Sequence, residues 1–234
     1  MGRVIMSGIV PALKAPVTYK ANFAENTWVQ IIDACQKNKV PETWVVGSQK
    51  TMTINGVDYP IDIIGKNHDT YSDGSVTAPL TFQLHDCYAT PYQMNSSNTN
   101  SGGWTDCAMR TTYLPAILAL MPSEVQAAIR EVNKLTWERD DSGTIGTTVD
   151  KLFLLSEREI LGGYAYSLAG EGAQYAYYQA GNTRVKNANG SAGNWWARSP
   201  TDRNVKQFCY IGSDGTNYIM NASNLCYAAF GFCF

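Results

Sequence analysis

Two aromatic, apolar blocks bracket the C-terminal end of this chain: Asn194-Trp195-Trp196-Ala197-Arg198-Ser199-Pro200 and Ala228-Ala229-Phe230-Gly231-Phe232-Cys233-Phe234. Between them, from Thr201 to Tyr227, Tyr, Asn, Cys, Thr and Gly follow one another with no helical or strict strand period, nearly free of charge after Lys206. Phe230 and Phe232 are expected to be buried, as are Trp195 and Trp196 if they serve as core, because rings of this size carry a large apolar payload into a core. The stretch they frame suits a binding surface, with rigid anchors outside and interchangeable contact chemistry inside. A C-terminal β-meander with loose turns fits the same composition. Trp195 and Trp196 themselves read either as core or as platforms for stacking on sugar rings.

Upstream, local chemistry marks several elements. Asn26 or Thr27 can cap a helix running to about Asn38, with Trp28, Ile31, Ile32 and Cys35 on one buried face. Gln49–Ile54 and Val57–Ile64 are β-rich runs joined by Asn55-Gly56, a dipeptide suited to a type I′ turn, which predicts a hairpin. Ala78–Leu84 reads as a further strand. Met94–Gly103 is Asn, Ser, Thr and Gly almost throughout and reads as a loop. A helix is expected over Trp104–Met121, with Pro115 at a start or kink, and a second one capped by Ser123 with Val125, Ile129 and Val132 on one side. Leu135–Glu138 and Leu152–Leu155 read as strands around a polar Asp-Ser-Gly-Thr loop. Ser156 with Glu159 forms a capping box. Tyr164–Asn194 is a long Gly, Ala, Tyr and Asn-rich connection of the kind that is often functional. Residues 1–25 read as an N-terminal arm or edge strand, and 26–234 as one domain.

The chain has 234 residues, enough for one large domain, and its net charge of −2 comes without a basic run. Nucleic acid is therefore not the expected partner, because phosphate neutralisation needs clustered Lys and Arg. No apolar run is long enough to span a membrane, so no membrane insertion is expected. Met1–Ala15 is a poor signal peptide, since Ser7, Gly8 and Pro11 interrupt its apolar stretch. A soluble product made in the cytoplasm is expected, one that would reach the outside only on a particle or by another route.

The candidate chemistry is sparse. The two histidines stand in His68-Asp69 and His85-Asp86. Their spacing fits no helical pair, and loop or strand-end histidines held by hydrogen bonds are the expected reading, so no metal and no cofactor are assigned. Glu157 and Glu159 lie two apart and point to different helix faces, against a paired-carboxylate site. Ser213-Asp214-Gly215 reads as a β-turn and not a calcium loop. Cys35, Cys87, Cys107, Cys209, Cys226 and Cys233 show no zinc-type spacing and are expected to be buried free thiols. No catalytic residue is assigned.

Four blocks in order carry a resemblance to a known family. They are Val57–Asp69, ending Ile63-Ile64-Gly65-Lys66-Asn67-His68-Asp69; Met94–Trp104; Asp150–Glu157; and the C-terminal end with Trp195-Trp196-Ala197-Arg198-Ser199-Pro200, Phe208–Gly215 and Gly231-Phe232-Cys233-Phe234. Over roughly residues 28–234 the chain resembles the C-type-lectin-fold variable proteins of diversity-generating retroelements, in their formylglycine-generating-enzyme-like subclass of bacterial and phage proteins. The resemblance implies an α+β C-type lectin fold with small antiparallel sheets, two main helices and long ordered loops. It makes the first His-Asp pair structural and favours Trp195 and Trp196 as core. It implies a non-catalytic ligand- or receptor-binding protein with 194–234 as the region diversified by adenine-directed mutagenesis. The residues assigned to contact are Thr201, Asp202, Arg203, Asn204, Val205, Tyr210, Gly212, Asn217, Tyr218, Asn221, Asn224, Leu225, Cys226 and Tyr227. Between Thr201 and Tyr227 only Lys206, Gln207 and Met220 are types that mutation of an AAC codon cannot produce. The implied partner is a host-cell surface protein or glycan, met by a homo-oligomer or by multicopy display on a phage tail or cell surface, which raises avidity. A fixed phage tail or surface adhesin of the same fold is the alternative. An oxidase like the formylglycine-generating enzymes would need a redox-active cysteine.

Overall fold

The computed structural model describes residues 17–139 and 143–234. Most of the arm expected over 1–25, and the Asp-Ser start of the expected Asp-Ser-Gly-Thr loop, lie outside the described residues. Residues 17–25 form no strand. They carry a 3-10 turn over Phe23–Glu25, and Phe23 is buried with its ring 5.3 Å from that of Trp44. Tyr19 donates to Asp33 and the Trp44 indole donates to the Lys20 carbonyl, which ties this segment to the body of the molecule.

Helix α1 (Trp28–Gln36) starts at Thr27, whose hydroxyl accepts from Gln30 N while its own N–H donates to the Gln30 side chain. It buries Ile31, Ile32, Ala34 and Cys35. Strands β1 (Gln49–Ile54) and β2 (Val57–Gly65) pair antiparallel across Asn55 and Gly56, whose φ of 49° and 78° are the two positive values a type I′ turn requires. Strand β3 (Thr81–Leu84) starts later than the expected Ala78, past Pro79, which has no N–H to give a ladder. With the C-terminal β11 (Gly231–Cys233) these strands make a four-stranded antiparallel sheet in the order β1-β2-β3-β11.

The helix expected over Trp104–Met121 is broken. Helix α2 (Gly103–Asp106) stops at Cys107, which turns extended and whose thiol donates to the Trp104 carbonyl. A π-helical turn over Met109–Tyr113 then leads into α3 (Leu114–Leu118), with Pro115 in the first turn, where its missing N–H costs nothing. Helix α4 (Ser123–Ala128) has Pro122 at its cap position, so Ser123 is inside the helix and makes no cap. It ends before Ile129, and Val132 opens strand β4 (Val132–Trp137) instead of extending a helical face. The partner of β4 is β5 (Ile145–Asp150), drawn from a stretch that reads as polar loop; Leu152–Leu155 is a buried connection with a single bridge from Phe153 to Gly231. An apolar run of four cannot be assigned as strand by period alone. The expected pair of main helices is thus one helix of nine residues and a series of shorter pieces.

Helix α5 (Glu157–Leu161) carries the Ser156/Glu159 capping box. The long connection Tyr164–Asn194 holds α6 (Ala176–Gln179) and a small hairpin of β6 (Lys186–Ala188) and β7 (Ser191–Gly193). Strands β8 (Trp195–Pro200), β9 (Gln207–Ile211) and β10 (Asn217–Asn221) form an antiparallel meander. Trp195, Trp196, Phe230 and Phe232 have no exposed surface, and all six cysteines are buried and free. The architecture is therefore mixed helix and sheet, with small antiparallel sheets around one core. Among the described residues no helix is long and apolar enough to cross a membrane.

Candidate binding surface

The meander separates two kinds of residue. Trp195, Trp196, Phe208, Cys209 and Ile211 point into the core, and the connections between strands together with the outer faces of β9 and β10 carry the outward side chains. Of the residues assigned to contact, Asp202, Arg203, Val205, Tyr218, Asn224 and Leu225 are exposed, and Asn204, Tyr210, Asn217, Asn221 and Tyr227 are half-buried. Leu225 (67% exposed) and Val205 (62%) are the two most exposed large apolar side chains among the described residues. Nothing in the core accounts for their presence there.

Thr201, Gly212 and Cys226 are buried and cannot offer side chains to a ligand. The Thr201 hydroxyl accepts from Arg203 N and shapes the loop. A Cβ on Gly212 would lie 2.7 Å from the Tyr218 ring, so glycine is there for close packing. Cys226 sits opposite Tyr92 in an isolated bridge. Composition carries no signal of burial for Thr201 and Gly212; Cys226 was expected both as a buried thiol and as a contact residue, and it is buried. Asn217 also turns inward, where its side-chain N–H donates to Glu157.

Cross-strand pairing builds an aromatic patch on the outward side. Tyr210 and Tyr218 face each other in the ladder and stack at 5.6 Å, and the Tyr218 hydroxyl donates to Asp214 at 2.9 Å. Hydrogen bonds from Thr216 N and from Tyr218 hold the Asp214 carboxyl below its ordinary range, and the same contact to Asp214 pushes the Tyr218 phenol up. Arg203 donates to the Ala165 carbonyl and lies 5.9 Å from the Tyr166 ring, so the 164–167 segment flanks the patch.

Two buried polar side chains that sequence reasoning missed hold these connections from beneath. The Asn100 amide N–H groups donate to the carbonyls of Thr201, Asn204 and Gln207, while its backbone N–H donates to Val205 O. Glu157 accepts from the backbone N–H of Ala165, Tyr166 and Ser167 and from the Ser167 hydroxyl. Both recognise backbone over most of these bonds, and Asn100 does so over a separation of more than a hundred residues.

The His-Asp pairs lie elsewhere. His68 stacks on Tyr175 at 4.0 Å, and burial lowers its pKa, with Asp69 opposing. Beside it Lys134 Nζ reaches Asp69 and Glu159 at 2.7 Å each and the Tyr175 hydroxyl at 2.9 Å, so its three donors are used. Glu159 also pairs with Arg198. Burial pushes the Asp69 and Glu159 carboxyls up, but their cationic partners outweigh it and both end below the ordinary range. This is a charge-paired network under a cleft of about 490 Å3 in which the buried Arg198 Nε alone of the guanidinium nitrogens lacks a partner, and it ties β4, α5 and β8 together. His85 pairs with Asp62 at 2.7 Å, and that hydrogen bond raises its pKa. Among the described residues no three His, Cys, Asp or Glu side chains gather as a metal-ligand set. Burial pushes the Cys35, Cys87 and Cys107 thiols up to about 12 and Cys209, Cys226 and Cys233 further.

Residues 81–231, from β3 to the start of β11, match the model of a family described as a domain of unknown function, DUF6273. No curated protein and no solved structure matches the chain.

Proposed function

The chain belongs to the DUF6273 family, and from that premise we propose that it is a non-catalytic binding protein of C-type lectin fold. Its ligand, a host-cell surface protein or glycan, is met by the outward side chains between Thr201 and Tyr227, and the gene segment encoding them is diversified by a retroelement. One observation carries this reading. Asn100 holds the 201–207 loop through main-chain groups, so the exposed Asp202, Val205 and Lys206 side chains can change without touching those bonds, while Thr201 and Asn204 add side-chain bonds within the loop. Substitutions at such exposed positions usually shift stability by less than ~0.5 kcal/mol.

The thiols support the absence of oxidase chemistry. A nucleophilic or redox-active cysteine works as thiolate in an accessible, electropositive setting. Here every cysteine is buried with its pKa raised.

The test is a binding screen of the purified protein against intact bacterial cells and their surface extracts, followed by replacement of Tyr210, Tyr218 and Tyr227. Each single change at a hot-spot tyrosine should weaken binding by ~1–3 kcal/mol with little change in melting temperature. If all three are replaced and affinity and fold both persist, the binding face lies elsewhere. A reverse-transcriptase gene and a near-copy of the C-terminal coding segment beside this gene mark the diversified protein; their absence marks a fixed adhesin.

A further inference from the structure

On a face that shares no residue with the surface above, α3 and the end of β5 enclose a cavity of about 310 Å3. Its walls are Leu114, Pro115 and Leu118 from α3, with Val149 and Leu152 opposite. Val149 is 44% exposed and Leu118 half-buried, so apolar surface lines an opening to water. At one side stands Arg110, on the π-helical turn that leads into α3. Its guanidinium is fixed by three acceptors: Asp150 at 2.6 Å, the Thr105 carbonyl at 2.9 Å and the Val149 carbonyl at 3.1 Å. Asp150 in turn accepts from the Trp104 indole and the Thr148 hydroxyl, so its charge is directed inward. The exposed Lys151 completes the rim.

An apolar pocket with a few fixed polar groups is the usual build of a small-molecule site, and this volume is at the low end of the ~300–1,000 Å3 such sites span. Formal charges on the lining sum to +1: Arg110 and Lys151 against Asp150. The rest of the lining is uncharged. π-Helical turns also recur at functional sites, where they re-aim side chains. We propose that this cavity binds a small amphiphilic anion, with its hydrocarbon body between α3 and Leu152 and its carboxylate at Lys151 and the outer N–H groups of Arg110.

Octanoate is the probe, with 1-octanol as its neutral match, titrated into the full-length protein and followed by two-dimensional NMR of the amides. The expected result is saturable shifts at 110–118 and 149–152 with octanoate. Lys151→Glu, an exposed change that leaves the fold intact, should weaken octanoate about tenfold and leave 1-octanol unchanged, the size expected for reversing one rim charge near an anion. Leu118→Trp, which fills the cavity from a half-buried position, should abolish both. The proposal is overturned if octanoate shifts none of these amides, if Lys151→Glu leaves its affinity unchanged, or if 1-octanol binds as tightly as octanoate.

Discussion

A single ring shows how the C-terminal blocks act. Trp196 has no exposed surface, meets Tyr210 edge-on at 6.3 Å, and donates its indole N–H to the Tyr92 carbonyl at 2.9 Å. It therefore ties the meander to the 88–113 segment as well as filling the core. Trp196→Ala should cost ~3–5 kcal/mol in urea unfolding, since truncation leaves a cavity and an unpaired carbonyl. An equally stable Trp196→Ala protein would remove the ring from the scaffold. Arg198, two positions after Trp196, is as fully buried and is compensated by Glu159 and by the carbonyls of Leu154 and Leu135. Removing only one member of such a pair strands a buried charge, so the Trp-Trp-Ala-Arg block is structural throughout.

At the scale of elements, the loop between β8 and β9 depends on one side chain far away in sequence. Asn100→Ala removes every side-chain hydrogen bond to Thr201, Asn204 and Gln207 and should cost ~1–3 kcal/mol. Amide hydrogen exchange should quicken across 201–207 and stay unchanged in β1 to β3; unaltered protection of 201–207 would show that the loop holds itself. Elements were legible in the sequence where their determinants are local. Asn55-Gly56 specifies its turn through backbone conformation, and Thr27/Gln30 and Ser156/Glu159 close their own helix ends. Strand β5 was not legible, because its polar outer face carries a weak alternation and its pairing with β4 is set by the buried Thr148 and Asp150 meeting Lys134 and Val132. The break at Cys107 was hidden for a similar reason: the residues on both sides keep helical period, and the bonds around the break are tertiary, from the Trp104 indole to Asp150 and from the Ala108 N–H to the Asn95 side chain. At the candidate surface the buried aromatic frame was legible in the sequence, whereas the individual contact positions rest on the family resemblance. The supports were not legible, since Asn100 and Glu157 recognise mainly backbone, and backbone contacts leave no pattern in side-chain identity.

For the molecule as a whole, the density of buried thiols and phenols fixes how stability responds to alkali. Cys35, Cys87 and Cys107 titrate near 9 when unfolded and are pushed to about 12 by burial in the native state; Tyr71 and Tyr177 move from 10 to about 12. A group whose native pKa is raised holds its proton more tightly when folded. Its contribution is therefore complete below the unfolded value and is lost as pH climbs toward the native one. Lys186 works in the opposite sense. Burial lowers it to about 8, so the folded state loses that proton first, and this residue pushes stability up with pH from about 8 to its ordinary value of 10.5, with the lowered Lys50 acting in the same sense. Between pH 8 and 9 the unfolded thiols already begin to ionise, and the six together offset the lysine. Above 9 it faces several thiols, and each pH unit in which one thiol is protonated only in the native state removes at most about 1.4 kcal/mol. Urea unfolding under reducing conditions should therefore show no gain between pH 8 and 9 and a steep loss from 9 to 11. Because burial drives the loss, a Cys35→Ala, Cys107→Ala protein should start less stable at pH 7 yet lose less between pH 9 and 11. A parent protein whose unfolding free energy stays level to pH 11 would mean that its thiols ionise in the native state, and with that the argument against accessible cysteine chemistry would fall.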